Sequence, residues 1–110
     1  RPGMDQSTLV ADYYRCLDDG EYETLRSILH PEFVQQRPDR RFEGRAAFVE
    51  FMQAERPQTD TTHRVDRLLE SAASLAAYGR LFDSEGSELF EFIDVFRFDD
   101  GQIRAVDTFS

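Results

Sequence analysis

The sequence predicts an α+β fold in which helices come first and a run of long antiparallel strands follows, giving a curved sheet with helices packed on one face. Three observations carry this. Apolar residues recur at helical spacing as far as Pro57; beyond it the period becomes strand-like; and the stretch LFEFIDVFRFDDGQI, Leu89 to Ile103, alternates along its length and runs into a turn. Helices followed by a strand meander leave one face of the sheet for the helices to cover.

Val10, Tyr13, Tyr14 and Leu17 fall at i, i+3, i+4 and i+7, the stripe of a helix with one buried face, with Asp5 or Ser7 as its N-cap and Asp19-Gly20 as its stop. A second, short helix turns Tyr22, Leu25, Ile28 and Leu29 inward, and His30-Pro31 ends it. EFVQQRP reads as a short strand closed by Pro38. Phe42 ends a strand, Gly44 breaks the chain, and a third helix buries Phe48, Phe51 and Met52 until Pro57. Thr61 to Leu69 alternates imperfectly, SLAAYGRLF is the next strand, and DSEG turns into the opening stretch. Asp99 to Gly101 is a hairpin signal, and Gln102 to Phe109 is the last strand.

One residue of that long strand is out of character. Alternate side chains share a face, so Asp94 lies in line with Phe90, Phe92, Phe96 and Phe98. A carboxylate among aromatic rings is costly to ionise, so its pKa rises and it becomes a hydrogen-bond donor. The competing reading pairs Asp94 with an arginine of the neighbouring strand, Arg80, which shares a face with Tyr78 and Phe82. Pairing lowers the pKa and leaves an acceptor.

Three segments together resemble the nuclear transport factor 2-like superfamily, and within it the SnoaL-like and ketosteroid isomerase-like proteins. YYRCLDDGEYETLRSIL is similar to the family's opening helix pair, HPEFVQQRPDRRFEGRAAFVEFM to its strand, loop and Gly-Arg-started helix, and IDVFRFDDGQIRAVDTF to its terminal hairpin. The resemblance implies a cone: a strongly bent sheet around three N-terminal helices, open at one end as a pocket, spanning residues 4–110 as a single domain and paired into homodimers through the sheet's outer face. It also implies roles. The aspartic acid that ketosteroid isomerases hold protonated falls on Asp94, and the tyrosine that assists it in stabilising an oxyanion falls on Tyr13. The isomerase base falls on Gln36, an amide with no useful basicity, which argues against steroid isomerisation. In SnoaL-like cyclases and limonene epoxide hydrolases, carboxylates on the last strands take part in acid–base work, and Asp107 lies near that place. Counted without a gap, Thr108 takes the family position, and a single bulge would exchange the two.

The remaining candidates are weighed on their own chemistry. His63 shares a face with Thr61 and Val65 and is a general base if it points inward, or a hydrogen-bonded structural residue. Gln36, Tyr78, Arg80, Phe92 and Phe96 are candidate ligand-wall residues, with simple core filling as the alternative for the rings. The Arg37–Arg41 cluster is a solvated loop, or a lure for anions if it rims the pocket. Cys16 reads as a small core side chain. Nothing resembles a metal-ligand set, a phosphate loop or a nucleophile triad, so neither cofactor nor metal is expected. The expected ligand is a small apolar molecule bearing a carbonyl or hydroxyl, handled by isomerase, cyclase or hydrolase chemistry; the alternative is a non-catalytic ligand-binding or dimerisation module.

Length and charge bound the rest. At 110 residues the chain is one domain, and no apolar run approaches the about 18 residues a membrane helix needs. Arg1 to Gly3, ahead of Met4, read as an expression remnant, and a soluble cytoplasmic protein is expected. The 22 acidic residues face 13 basic ones, all arginine, for a net charge of -9. Such a surface repels phosphate backbones and anionic lipid heads, so nucleic acid and membranes are excluded as partners. It also repels itself, which concentrated salt screens. The charge reads as adaptation to a saline interior, with an ordinary acidic surface as the alternative. On the first reading the Tm rises between low and molar potassium chloride; a Tm indifferent to salt leaves the second.

Overall fold

The computed structural model describes residues 5–56 and 60–110. Arg1 to Gly3, Met4 and the helix stop expected at Pro57 lie outside the described residues. Helix α1, Gln6–Asp19, starts where Asp5 accepts a hydrogen bond from the Thr8 N–H at 2.9 Å and ends at Gly20, whose φ of 70° lets its region close on the Cys16 carbonyl. Its buried stripe is the predicted Val10, Tyr13, Tyr14 and Leu17, widened by Leu9 and Cys16. Helix α2 is Tyr22–Ile28.

Leu29, expected in that helix, instead opens strand β1, Leu29–Gln36. It sits opposite Ile103 of the last strand and is fully buried there. Pro31 falls inside β1 where the register slips between Leu29 and Val34, an irregularity that spares the ladder the N–H proline lacks. Strand β2, Arg41–Glu43, pairs back on β1. Helix α3, Arg45–Glu50, then widens into a π-helical turn, Phe51–Glu55, carrying Phe51 and Met52. Such widened turns often mark functional sites.

Strands β3, Thr62–Glu70, β4, Ser74–Phe82, β5, Glu88–Asp99, and β6, Gln102–Phe109, complete the fold. A register slip between Val65 and Arg67 explains the imperfect alternation of β3. Asp100 and Gly101, both at positive φ (59° and 75°), form the tight turn between β5 and β6. The six strands lie in the order β2-β1-β6-β5-β4-β3 in one curved, unclosed sheet. The expected antiparallel sheet is corrected at one seam: β1 and β6, the first and last strands, run parallel. The α+β expectation holds, with one core between helices and sheet in which Tyr13, Phe33, Phe48 and Phe96 are the largest fully buried side chains.

Gly79 of β4 lies opposite Val65, beside that slip, and the β3 backbone presses in on it. A Cβ there would stand 2.3 Å from the Arg64 carbonyl oxygen and 3.0 Å from the Phe92 ring. Backbone cannot yield as a flexible side chain would. We expect Gly79→Ala to cost about 1–3 kcal/mol, read as a lower urea midpoint at unchanged m.

Candidate functional site

Alternation along β5 puts Phe92, Asp94 and Phe96 on the helix-facing side, all nearly inaccessible, and Ile93 on the outer side at 42 % exposure. Asp94, 5 % exposed, is the one charged residue in the fully buried set among the described residues. Two hydroxyls donate to it: Tyr14 to Oδ2 at 2.5 Å from α1, and Thr108 to Oδ1 at 2.6 Å from the neighbouring strand. Thr108 in turn accepts from Gln35 Nε2 at 3.1 Å. Burial drives the Asp94 pKa above its ordinary 3.8, against the pull of those two hydrogen bonds and of the nearby His63 and Arg37. The same burial, reinforced by the Asp94 charge, pushes both tyrosine phenols above their ordinary 10, so Tyr13 and Tyr14 remain protonated.

His63 at the start of β3 is gripped by the last turn of α1. Its Nδ1 lies 2.6 Å from Asp18 Oδ1, and its backbone N–H donates to both Asp18 oxygens, at 3.0 and 3.2 Å. Of the two tautomers of a neutral imidazole, a carboxylate on Nδ1 selects the one that carries its proton there, with the lone pair on Nε2. The ring packs at 5.1 Å from Tyr14 and 5.6 Å from Phe92, so the Asp18–His63 pair stands beside the Asp94–Tyr14 pair.

One member of each pair, His63 and Asp94, borders a cavity of about 470 Å³, while Asp18 and Tyr14 stand behind them. Leu17, Phe51, Met52, Leu81, Phe90 and Phe92 contribute its apolar wall; Tyr13, Gln35, His63, Asp94 and Thr108 bring polar atoms to it, and Arg37 and Arg56 bring positive charge. That volume suits a small organic ligand. The Gln35 side chain is 6 % exposed, and its Oε1 has no hydrogen-bond partner. Among the described residues no group of three or more His, Cys, Asp or Glu is placed to hold a metal, and no helix is long and apolar enough to cross a membrane.

The structure brings together Asp94, His63, Tyr13 and Phe92 of the predicted set. It corrects the others. The phenol on Asp94 is that of Tyr14; Tyr13 lies between Phe48 and Phe96 in the cavity wall. Gln36 points outward, bonded to the Arg37 carbonyl and to Arg41, because β1 turns Phe33 and therefore Gln35 inward. Asp107 faces out and pairs with Arg97 at 3.3 Å, since Thr108 is the residue directly opposite Asp94. Tyr78 and Arg80 are also outside: Tyr78 donates to Glu91, and Arg80 pairs with Asp66 and Glu88, leaving Asp94 without the arginine proposed for it. Phe96 is wholly in the core, away from the cavity. In the Arg37–Arg41 cluster, Arg37 and Asp39 do border the cavity, and Arg40 lies over the rings of Phe42 and Phe51, 4.5 Å from each. Cys16 is fully buried, its thiol raised by that burial.

Sequence reasoning missed Tyr14, Asp18, Gln35 and Thr108 as a set. Tyr14 and Asp18 are four residues apart and so stack on one helix face, a signal that was available. So was the shared parity of Phe33, Gln35 and Arg37.

A family model, that of the SnoaL-like domain, matches residues 10–106. The chain belongs to this family. Comparison with curated protein sequences finds no match. Among solved structures, this SnoaL-like chain is similar to a protein assigned as a ketosteroid isomerase from Kribbella flavida, at 26% identity and TM-score 0.81, over 93% of this chain and 74% of that one. It is similar to one assigned as a polyketide cyclase from Sinorhizobium meliloti, at 14% identity and TM-score 0.81, over 93% and 94%. It is also similar to an LEH-like epoxide hydrolase from M. tuberculosis, at 16% identity and TM-score 0.78, over 92% and 78%. The chain has the nuclear transport factor 2-like fold, shared with a protein of that description from Cytophaga hutchinsonii at 13% identity and TM-score 0.83, over 99% and 92%.

The raised pKa of Asp94 has a definite sign for stability. The folded protein holds its proton more tightly than the unfolded chain, so this group's contribution to stability is greatest at low pH and is lost as pH rises from about 4 through the folded midpoint. Asp94→Asn is uncharged throughout. We expect the Tm of the variant minus that of the wild type to grow with pH across this window and then level off; a difference that stays flat from pH 4 to 8 would mean that Asp94 titrates alike in both states.

Proposed function

We propose that this SnoaL-like domain is an acid–base enzyme for a small, largely apolar molecule bearing a carbonyl or hydroxyl. The observation that carries the reading is the meeting, at one cavity, of two differently tuned groups. His63, oriented by Asp18, offers a lone pair as base; Asp94, desolvated and therefore easily protonated, offers a proton as acid. His63 Nε2 removes a proton from a carbon or a water, and Asp94 delivers one to the oxygen on which charge develops. The Tyr13 phenol, which stays protonated, is the further donor for that oxygen. This division of labour is common to isomerisation, cyclisation and hydrolysis, the activities in the names of the similar structures. Steroid isomerisation is not the proposed reaction, because the inward residue of β1 is Gln35, an amide as unable to act as a base as Gln36.

That same amide favours a second reading, a non-catalytic ligand-binding module of the same fold. Under either reading we propose that two copies pair through the outer face of the sheet, where Ile93 and Phe109 sit opposite each other at 42 % and 56 % exposure.

The two readings separate on proton exchange. In deuterium oxide the enzyme reading expects the protein to exchange the α-protons of an enolisable probe, 1-tetralone, followed by proton NMR. His63→Gln should cut the rate by about 10²-fold or more, and Asp18→Asn, which frees the ring without removing it, by less. No exchange above the uncatalysed rate would leave the binding module standing.

A further inference from the structure

The Gln35–Thr108–Asp94 chain has a direction, and the direction is fixed by one proton. With Asp94 ionised, the Thr108 hydroxyl donates to Oδ1, so the Thr108 oxygen accepts from Gln35, which turns its NH₂ toward Thr108 and leaves Oε1 without a partner. With Asp94 protonated on Oδ1, the carboxyl donates to Thr108, and the Thr108 hydroxyl then donates onward. Its partner must be the Gln35 carbonyl oxygen, reached by a half-turn of the side-chain amide that exchanges two groups of nearly equal size. The unpartnered end of Gln35 changes from an acceptor to a donor. A chain of this kind costs little to reverse, because each link survives with donor and acceptor exchanged.

We propose that Gln35 selects the ligand's polar group and that the protonation state of Asp94, passed through Thr108, sets the selection: a hydroxyl when Asp94 is ionised, a carbonyl when it is protonated. The inference rests on the reading of the cavity as the ligand site, which Gln35 and Thr108 both border. It adds a specificity-determining residue to the acid and base described above, and links recognition to the charge of the acid. Burial raises the Asp94 pKa above its ordinary value and so favours the protonated state. The groups facing it are Tyr13 and Tyr14 from α1, His63 from β3 with Asp18 behind it, Arg37 after β1, and Thr108 from β6; Ala77, opposite it on β4, carries no charge.

The test uses two probes of one shape, 1-tetralol and 1-tetralone, on the labelled protein. The Asp94 carboxyl carbon and the Gln35 side-chain NH₂ are followed by NMR through a pH titration, and each probe's Kd is measured on both sides of the Asp94 midpoint. The Gln35 signal is expected to shift with the Asp94 midpoint, and the ketone-to-alcohol Kd ratio to change by about tenfold across it, the effect of one exchanged hydrogen bond. Thr108→Val, which cannot relay, should lose both effects while Asp94 still titrates; Thr108→Ser should keep them; Asp94→Asn should show no dependence at all.

A Gln35 signal indifferent to Asp94 in the wild type overturns the inference, whatever the variants do. So does a coupling that persists undiminished in Thr108→Val, which would mark a through-space field effect. A Gln35 signal that follows Asp94, together with an absence of proton exchange, supports the relay while removing the catalytic reading.

Discussion

The buried carboxylate of Asp94 is the constraint around which the site is organised. An ionised acid at this depth is costly, and an aspartate enclosed by Phe92 and Phe96 persists only with partners supplied by other elements. Tyr14 brings one from the helix layer and Thr108 another from the adjacent strand. Hydrogen bonds to a charged group contribute about 1.5–3 kcal/mol each when well formed, so the acid fastens α1 to the centre of the sheet. Those bonds lower its pKa while burial raises it, and burial is the larger effect. The framework and the chemistry therefore share one group.

The second acid of the site shows what burial alone decides. Asp18 sits at the end of α1, with a side-chain exposure of 16 %, against the backbone N–H and ring of His63. It holds the imidazole in place, whereas Asp94, deeper and ringed by aromatic side chains, has its pKa raised by burial. Two carboxylates of one type thus take opposite roles from their surroundings. Arg37 and Arg56 at the same cavity are matched by Asp39 and Asp94, so its lining does not share the acidic excess behind the chain's overall charge of -9. The local field of the site is therefore not that of the surface.

Much of the fold was legible because each element carried its own punctuation. Asp5 and Gly20 bound α1, Ser74 to Phe82 alternates cleanly, and the Asp100-Gly101 turn announces the last hairpin. What escaped were places where tertiary pairing overrides local preference. Leu29 has a helical neighbourhood, yet its place is opposite Ile103, and nothing within ten residues of it records that partner. The site was legible in outline: Asp94 stood out as a charge on an aromatic face, and His63 as a candidate whose role turned on whether it points inward. Its partners did not stand out, because adjacent tyrosines on a helix point only about 100° apart and the packing of the sheet chooses between them. For Gln35 the face was recoverable from strand parity with Phe33, whereas alignment to a family motif landed one residue away on Gln36; for Thr108 the count without a gap reached the right position, and only the carboxylate of Asp107 drew attention from it. A slip of one position in a strand reverses inside and outside.

The parallel seam between β1 and β6 bears on how the molecule comes into being. These strands lie some 70 residues apart in the chain, yet they are neighbours inside the sheet. Contacts of such long sequence separation carry a loop-closure cost before they return any stabilisation, which makes them late events in folding. Gln35 belongs to one of these strands and Thr108 to the other. The cavity wall is thus completed by the last of these six strands to be synthesised, and a nascent chain has α1, His63 and Asp94 in hand before it has the partner that ties them into one site.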